Sequence, residues 1–249
     1  MAENSLARQE HQNTGLAVHV ETGGIMQAVA SEVAMVPGLD QSYRYRLPRL
    51  GKLHLGVKAV TSGGKEYPKA TDYFVLPEEL TKDADFRAAL EALGTDPDKP
   101  TKLPIMLPCN SLMDNLRSSC DLYGSSRGLI CRTYDGATCK RVNLQTGEMT
   151  DEQCKGCSCP EYQKKQCHWI HRLRFLLPDA SGIGVWQIDT TSTNNRAGLF
   201  TEMLQIKNAL HQLAMIDLVL TLEPREFQVP MFDKKSNTTE LKKTTAHLM

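Results

Sequence analysis

The sequence predicts an α+β fold made mainly of antiparallel strands and hairpins, with a few helices and an inserted zinc knuckle. Three observations carry this. Apolar residues recur at a period of two in several short stretches, as in Leu53, Leu55, Val57 and Ala59, which is the mark of half-buried strands. Helical spacing is confined to a few segments, the strongest at residues 195–213. Between them, Cys154, Cys157, Cys159 and Cys167 fall in a segment with Gly156, Pro160 and no apolar periodicity, so it cannot fold by burying apolar surface. Short strands with an inserted cysteine loop are compatible with an OB-like barrel.

Residues 1–40 read as a polar, partly disordered segment, and residues 41–249 as one α+β domain with the knuckle inserted at about 129–172. From Leu53 the alternation gives a strand, Ser62-Gly63-Gly64 a turn, and Tyr73 to Leu76 its partner. Asp83 or Asp85 caps a short helix carrying Phe86, Leu90 and Leu93, and Gly94 stands where it should stop. Residues 96–104 form a polar connector with prolines. A second helix is expected at 111–122, capped by Asn110, with Leu112, Met113, Leu116 and Cys120 inward. A hairpin pairs 129–133 with 138–143 around Asp135-Gly136. Strands follow at 172–177 and 182–189. The long helix at 195–213 is capped by Thr193 or Asn194 and buries Leu199, Met203, Ile206 and Leu210. Alternation from Ala214 to Glu223 gives a strand, and 227–232 pairs with 241–248 as a terminal hairpin.

Four thiolates in tetrahedral array around zinc would hold the cysteine segment. No charged and then apolar leader opens the sequence, so reduced thiols and an intracellular setting are expected. The expected ligands are Cys131, Cys154, Cys159 and Cys167. Cys157 is held in reserve, because two thiolates as close as Cys157 and Cys159 would strain the loop on one ion. Cys139 is a weaker candidate, since adjacent hairpin positions tend to face opposite ways. His168 and His171 could replace a thiolate, and Cys109 and Cys120 read as packed thiols. About one structural zinc per chain is therefore expected.

The 29 basic and 29 acidic residues cancel, so net charge names no partner. Their distribution is more informative. Arg44, Arg46, Arg49, Lys52, Lys58, Lys65 and Lys69 stand against the single acid Glu66, with Tyr43, Tyr45 and Tyr67 among them. Such a mixture suits phosphate neutralisation and base stacking along single-stranded DNA, and equally suits a solvated strand face. Lys164, Lys165, Arg172 and Arg174 form a second basic group. Arg44, Arg46, Lys52, Lys58, Arg172 and Arg174 are the candidate binding residues. No apolar run is long enough to span a membrane, so no membrane partner is expected.

Few catalytic patterns stand in the sequence. It holds no H-E-x-x-H, phosphate-binding loop or complete G-x-G-x-x-G. Asp189 with Thr190 to Thr193 reads as a turn and helix cap. A thiolate-rich site is of the closed, structural kind, so no enzyme activity is expected.

Several stretches in order, LGVKAVTSGGKEYPKATDYF, LPIMLP, LYGSSRGLICR, CSCPEY, CHWIHRLRFLLPDASGIGVWQIDTTSTNN and LVLTLEPRE, resemble the recombination directionality factor-like family of temperate phages and integrative elements. The likeness runs from about Leu47 to the C-terminus. In the family's pattern cysteines stand at the positions of Cys131, Cys159 and Cys167, with Cys154 as fourth; Cys157 is additional here. The resemblance implies a non-enzymatic partner of a large serine integrase and its attachment-site DNA, acting in the cytoplasm of a bacterial host and promoting excision. A single-stranded DNA-binding accessory role in replication or recombination is the alternative.

Overall fold

The computed structural model describes residues 47–124, 128–143, 145–233 and 238–249. Expectations for residues 1–40, and for Arg44 and Arg46, lie outside the described residues. The α+β class is borne out, and antiparallel pairing dominates. Strands β1 (Arg49–Val60) and β2 (Glu66–Val75) form the first hairpin. Then come the short helices α1 (Glu78–Thr81) and α2 (Ala84–Ala92). Asp83 caps α2 by accepting from the Phe86 amide at 3.1 Å. Strand β3 (Lys102–Ile105) lies in the segment expected to be a connector.

The helix expected at 111–122 is corrected. Only α3 (Leu112–Asn115) is helical, capped by Ser111, and Leu116–Gly124 is strand β4. Leu116, Ser118, Cys120 and Leu122 also fit a period of two, and hydrogen bonding to strands on both sides outweighs a weak helical propensity. Next come β5 (Gly128–Thr133), β6 (Thr138–Val142) and the unforeseen β7 (Met149–Gln153). A 3₁₀ turn (Gly156–Ser158) and α4 (Pro160–Gln163) lead into β8 (Cys167–Phe175) and β9 (Val185–Thr190). Helix α5 (Thr193–Leu210) is capped by Ser192 rather than by Thr193 or Asn194, and it ends three residues before the expected 213. His211 stops it in the left-handed conformation, and Leu210, expected inward, is exposed. Strand β10 (Leu218–Thr221) and the hairpin β11 (Glu223–Asp233) with β12 (Thr238–Leu248) complete the chain.

Among the described residues, eight strands make one sheet in the order β2-β1-β9-β8-β4-β5-β6-β7, with β2 and β7 at its ends. This is not the five-stranded arrangement of an OB barrel. Only β1 and β9 pair in parallel; the other neighbours in this sheet are antiparallel. Trp186 lies over Gly51 at this junction, where a Cβ would stand 2.5 Å from the indole. A larger residue has no room there.

Residues directly opposite one another in a sheet share a face, so the register can be read as rows. Leu53, Ile188, Leu173 and Leu116 form one row across β1, β9, β8 and β4, each at most 3 % exposed. They join Phe86 and Leu90 of α2, Leu199 and Met203 of α5, and Leu103 and Leu220 of the β3–β10 pair in a single apolar cluster. Strand β4 thus passes from this core toward the cysteines.

Ile188 is fully buried in the middle of the row. Ile188→Ala should cost about 2–5 kcal/mol in urea unfolding, whereas Val60→Ala, at an exposed strand end, should stay within about 0.5 kcal/mol.

Candidate metal centre and polar sheet face

Two further rows continue the core face. The first runs Trp169, Cys120, Thr133, Cys139, Glu152; the second runs Cys167, Leu122, Cys131, Arg141. Cysteines therefore stand on four consecutive strands, β8, β4, β5 and β6, each diagonal to the next. The Cys120 and Cys167 sulfurs are 3.1 Å apart, and the Cys139 thiol meets that of Cys131. Cys139 was expected to face away from Cys131. It does not, because Cys131 pairs with Arg141, and Cys139 lies two residues from Arg141, which restores the same face. Asp135 shapes this hairpin: its carboxylate accepts from the Ala137 and Thr138 amides and from both threonine hydroxyls, Thr133 and Thr138. Those bonds, the Thr138 amide first, hold it below the usual carboxylate range.

The loop after β7 closes over this face. The Cys154 amide donates to the Ala137 carbonyl at 2.7 Å, and Gly156 turns the chain at φ +54°. Cys159 precedes α4, where Pro160 fits the first helical position. Glu161 accepts from the Cys159 thiol at 2.9 Å and pairs with Arg141 at 2.7 Å, tying the loop to β6. These two interactions, Cys159 first, lower its pKa to about 2. A cavity of about 480 Å³ results between sheet and loop, and seven of the eight cysteines line it.

All four expected ligands, Cys131, Cys154, Cys159 and Cys167, border the cavity, as does Cys157. So do Cys120 and Cys139, which the sequence reading set aside. Their signal was parity: Cys120 alternates in step with Leu116 and Leu122. Cys109 lies elsewhere, its sulfur 3.0 Å from the Asn115 side-chain oxygen. His171 is buried and bonds Ser118 at 2.8 Å, while His168 pairs opposite Asp121 on the other face. Burial, then Arg196 and Arg172, lowers the His171 pKa. Burial, then the neighbouring thiol, pushes Cys139 and Cys167 up to about 12. Among the described residues no three His, Cys, Asp or Glu groups are already drawn close enough to hold one ion. The thiols ring the cavity. As a donor set they are soft and suit zinc.

The opposite face of the same strands is polar. One row is Lys52, Gln187, Arg174; a second is Asp189, Arg172, Arg117; a third is His168, Asp121, Arg132, Lys140, Asp151. Asp121 has a fully buried side chain and takes both Arg132 nitrogens, at 2.8 and 2.7 Å, together with Arg172. Burial alone would raise its pKa, but Arg132, Ser119 and Arg172 outweigh that and bring it to about 2. Lys52 pairs with Asp189 at 2.6 Å, and Lys58 with Glu66 at 3.4 Å on the exposed first hairpin. Six cations meet three carboxylates across the three rows, so the face is basic.

Residues 50–246 match the family described as Gp3-like, recombination directionality factor-like. The chain belongs to that family. No curated protein and no solved structure matches it. The match begins just inside β1 and ends in β12, so it spans the sheet, the cysteine cavity and the terminal hairpin of this family member. Recombination is thus the setting of its function. Among the described residues no helix is long and apolar enough to cross a membrane.

Removing one partner of a buried ion network strands the others. Asp121→Ala should cost about 3–5 kcal/mol in urea unfolding at neutral pH. Because its folded pKa lies below the unfolded value of about 3.9, the contribution is present above that value and is lost as pH falls toward about 2. Asp121→Asn should flatten the stability profile over that window.

Proposed function

We propose that this chain is a non-enzymatic accessory factor that binds a large serine integrase on its attachment-site DNA and favours excision. The family match over residues 50–246 carries this reading. Binding is sufficient for such a role: a preference of about 5.5 kcal/mol for one of two assemblies moves their ratio from 1:99 to 99:1. No turnover is required. Zinc held by the thiol-lined cavity is part of the proposal. It would fix the loop of Cys154, Cys157 and Cys159 to the sheet and supply folding energy that this apolar-poor segment lacks.

The basic sheet face supports contact with DNA backbone. Lys52, Arg172 and Arg174 lie on it, and Lys58 stands on the neighbouring hairpin; with Arg44 and Arg46 they are the proposed binding residues. Arg172 and Lys52 already answer to Asp121 and Asp189, so each would share its charge between carboxylate and phosphate. The same chemistry favours single-stranded DNA as the second reading.

Recombination of hybrid attachment sites by the cognate integrase should rise when the purified protein is added, and the two proteins should co-elute. Unchanged excision together with no complex overturns the accessory role. Long single-stranded oligonucleotides discriminate the second reading: anisotropy that shows binding at low salt and loss as salt rises supports it, and no binding removes it. A strong chelator should lower the melting temperature; a metal-free protein whose melting ignores chelator overturns the zinc.

A further inference from the structure

We infer that the cavity takes two zinc ions that share a thiolate, rather than one. This rests on the zinc reading above and adds its stoichiometry. The observation is the spread of donors over the sheet. Cys167, Cys120, Cys131 and Cys139 occupy four consecutive strands of one face. At the usual spacing between strands the outer two are about 14 Å apart. Two thiolates on one tetrahedral zinc lie only about 3.8 Å apart, given Zn–S bonds of about 2.3 Å. No choice of cysteine rotamers closes that gap. Cys131 and Cys167, separated by the whole of β4, are about 10 Å apart by the same spacing.

The sheet thiols instead divide into two neighbouring pairs. Cys120 and Cys167 lie 3.1 Å apart at the β4–β8 end, and Cys131 meets Cys139 at the β5–β6 end. Each pair supplies half of a tetrahedron. The loop lines the same cavity with Cys154, Cys157 and Cys159. Two four-coordinate ions need eight metal–sulfur bonds, and seven thiolates supply eight when one is shared. Cys154 fits the shared position, because it lines the cavity and lies within electrostatic reach of all four sheet thiols. Cys159, which is within electrostatic reach of Cys167, completes the first ion, and Cys157 the second. Every thiol releases its proton to solvent as the metal binds.

The test is zinc content of the full chain, by elemental analysis and native mass spectrometry, for the wild type, Cys120→Ser and Cys139→Ser. Two zinc ions per wild-type chain, falling to one in each variant with the circular dichroism spectrum retained, is the expected result. One zinc in the wild type, kept in Cys139→Ser, overturns the second ion and leaves the zinc reading standing. No zinc at all overturns both. With cobalt(II) in place of zinc, a shared thiolate couples the ions magnetically; a signal counting two isolated ions overturns the bridge.

Discussion

Strand β4 hydrogen-bonds to β8 along one edge and to β5 along the other, and the placement of both chemistries on this protein depends on that double pairing. A strand sends alternate side chains to opposite faces. Leu116, Ser118, Cys120 and Leu122 therefore go one way, and Arg117, Ser119 and Asp121 the other. A slip of one residue would exchange the two sets, setting Asp121 among thiols and Cys120 among arginines. The leucine row at the β4 start resists that slip, since it would turn Leu116 out of the core.

The two faces are stabilised by different physics along one strand. Near Leu116 the core face is dry and apolar; at Ser118, His171 and Thr190 it becomes polar, with Asn195 of α5 bonding Thr190. Beyond that belt it carries thiols. On the other face, burial of Asp121 is tolerable only because Arg132 and Arg172 both reach it. The arginines lie on β5 and β8, the strands that also carry Cys131 and Cys167. The ion network consequently fixes the same three strands whose other face presents the thiols.

For a family member whose setting is recombination, this arrangement separates two tasks. One face is committed to holding the loop of Cys154 to Cys159 in place, and the other presents charge. Thiols and charge are coupled through three strands and not through direct contact. A change in the cavity would reach the polar face only by moving the strands.

The sequence alone determined the class, the first and last hairpins, the long helix and the importance of the cysteine segment, because each is a local pattern: period two, period 3.6, a turn residue or a cluster of donors. Its ordered motifs also sufficed for the family. What it could not settle was everything set by pairing. Residues 111–122 fit a helix by spacing, and only hydrogen bonding to β5 and β8 made most of them a strand. Cys139 seemed to face away from Cys131, and only the register of β5 on β6 brought it back. Cys120 looked like core packing, and Asp121 gave no sign of its two arginines, which come from residues 11 and 51 positions away. Side-chain direction in a sheet depends on which residue of a distant strand lies opposite, and that information exists only once the chain has folded.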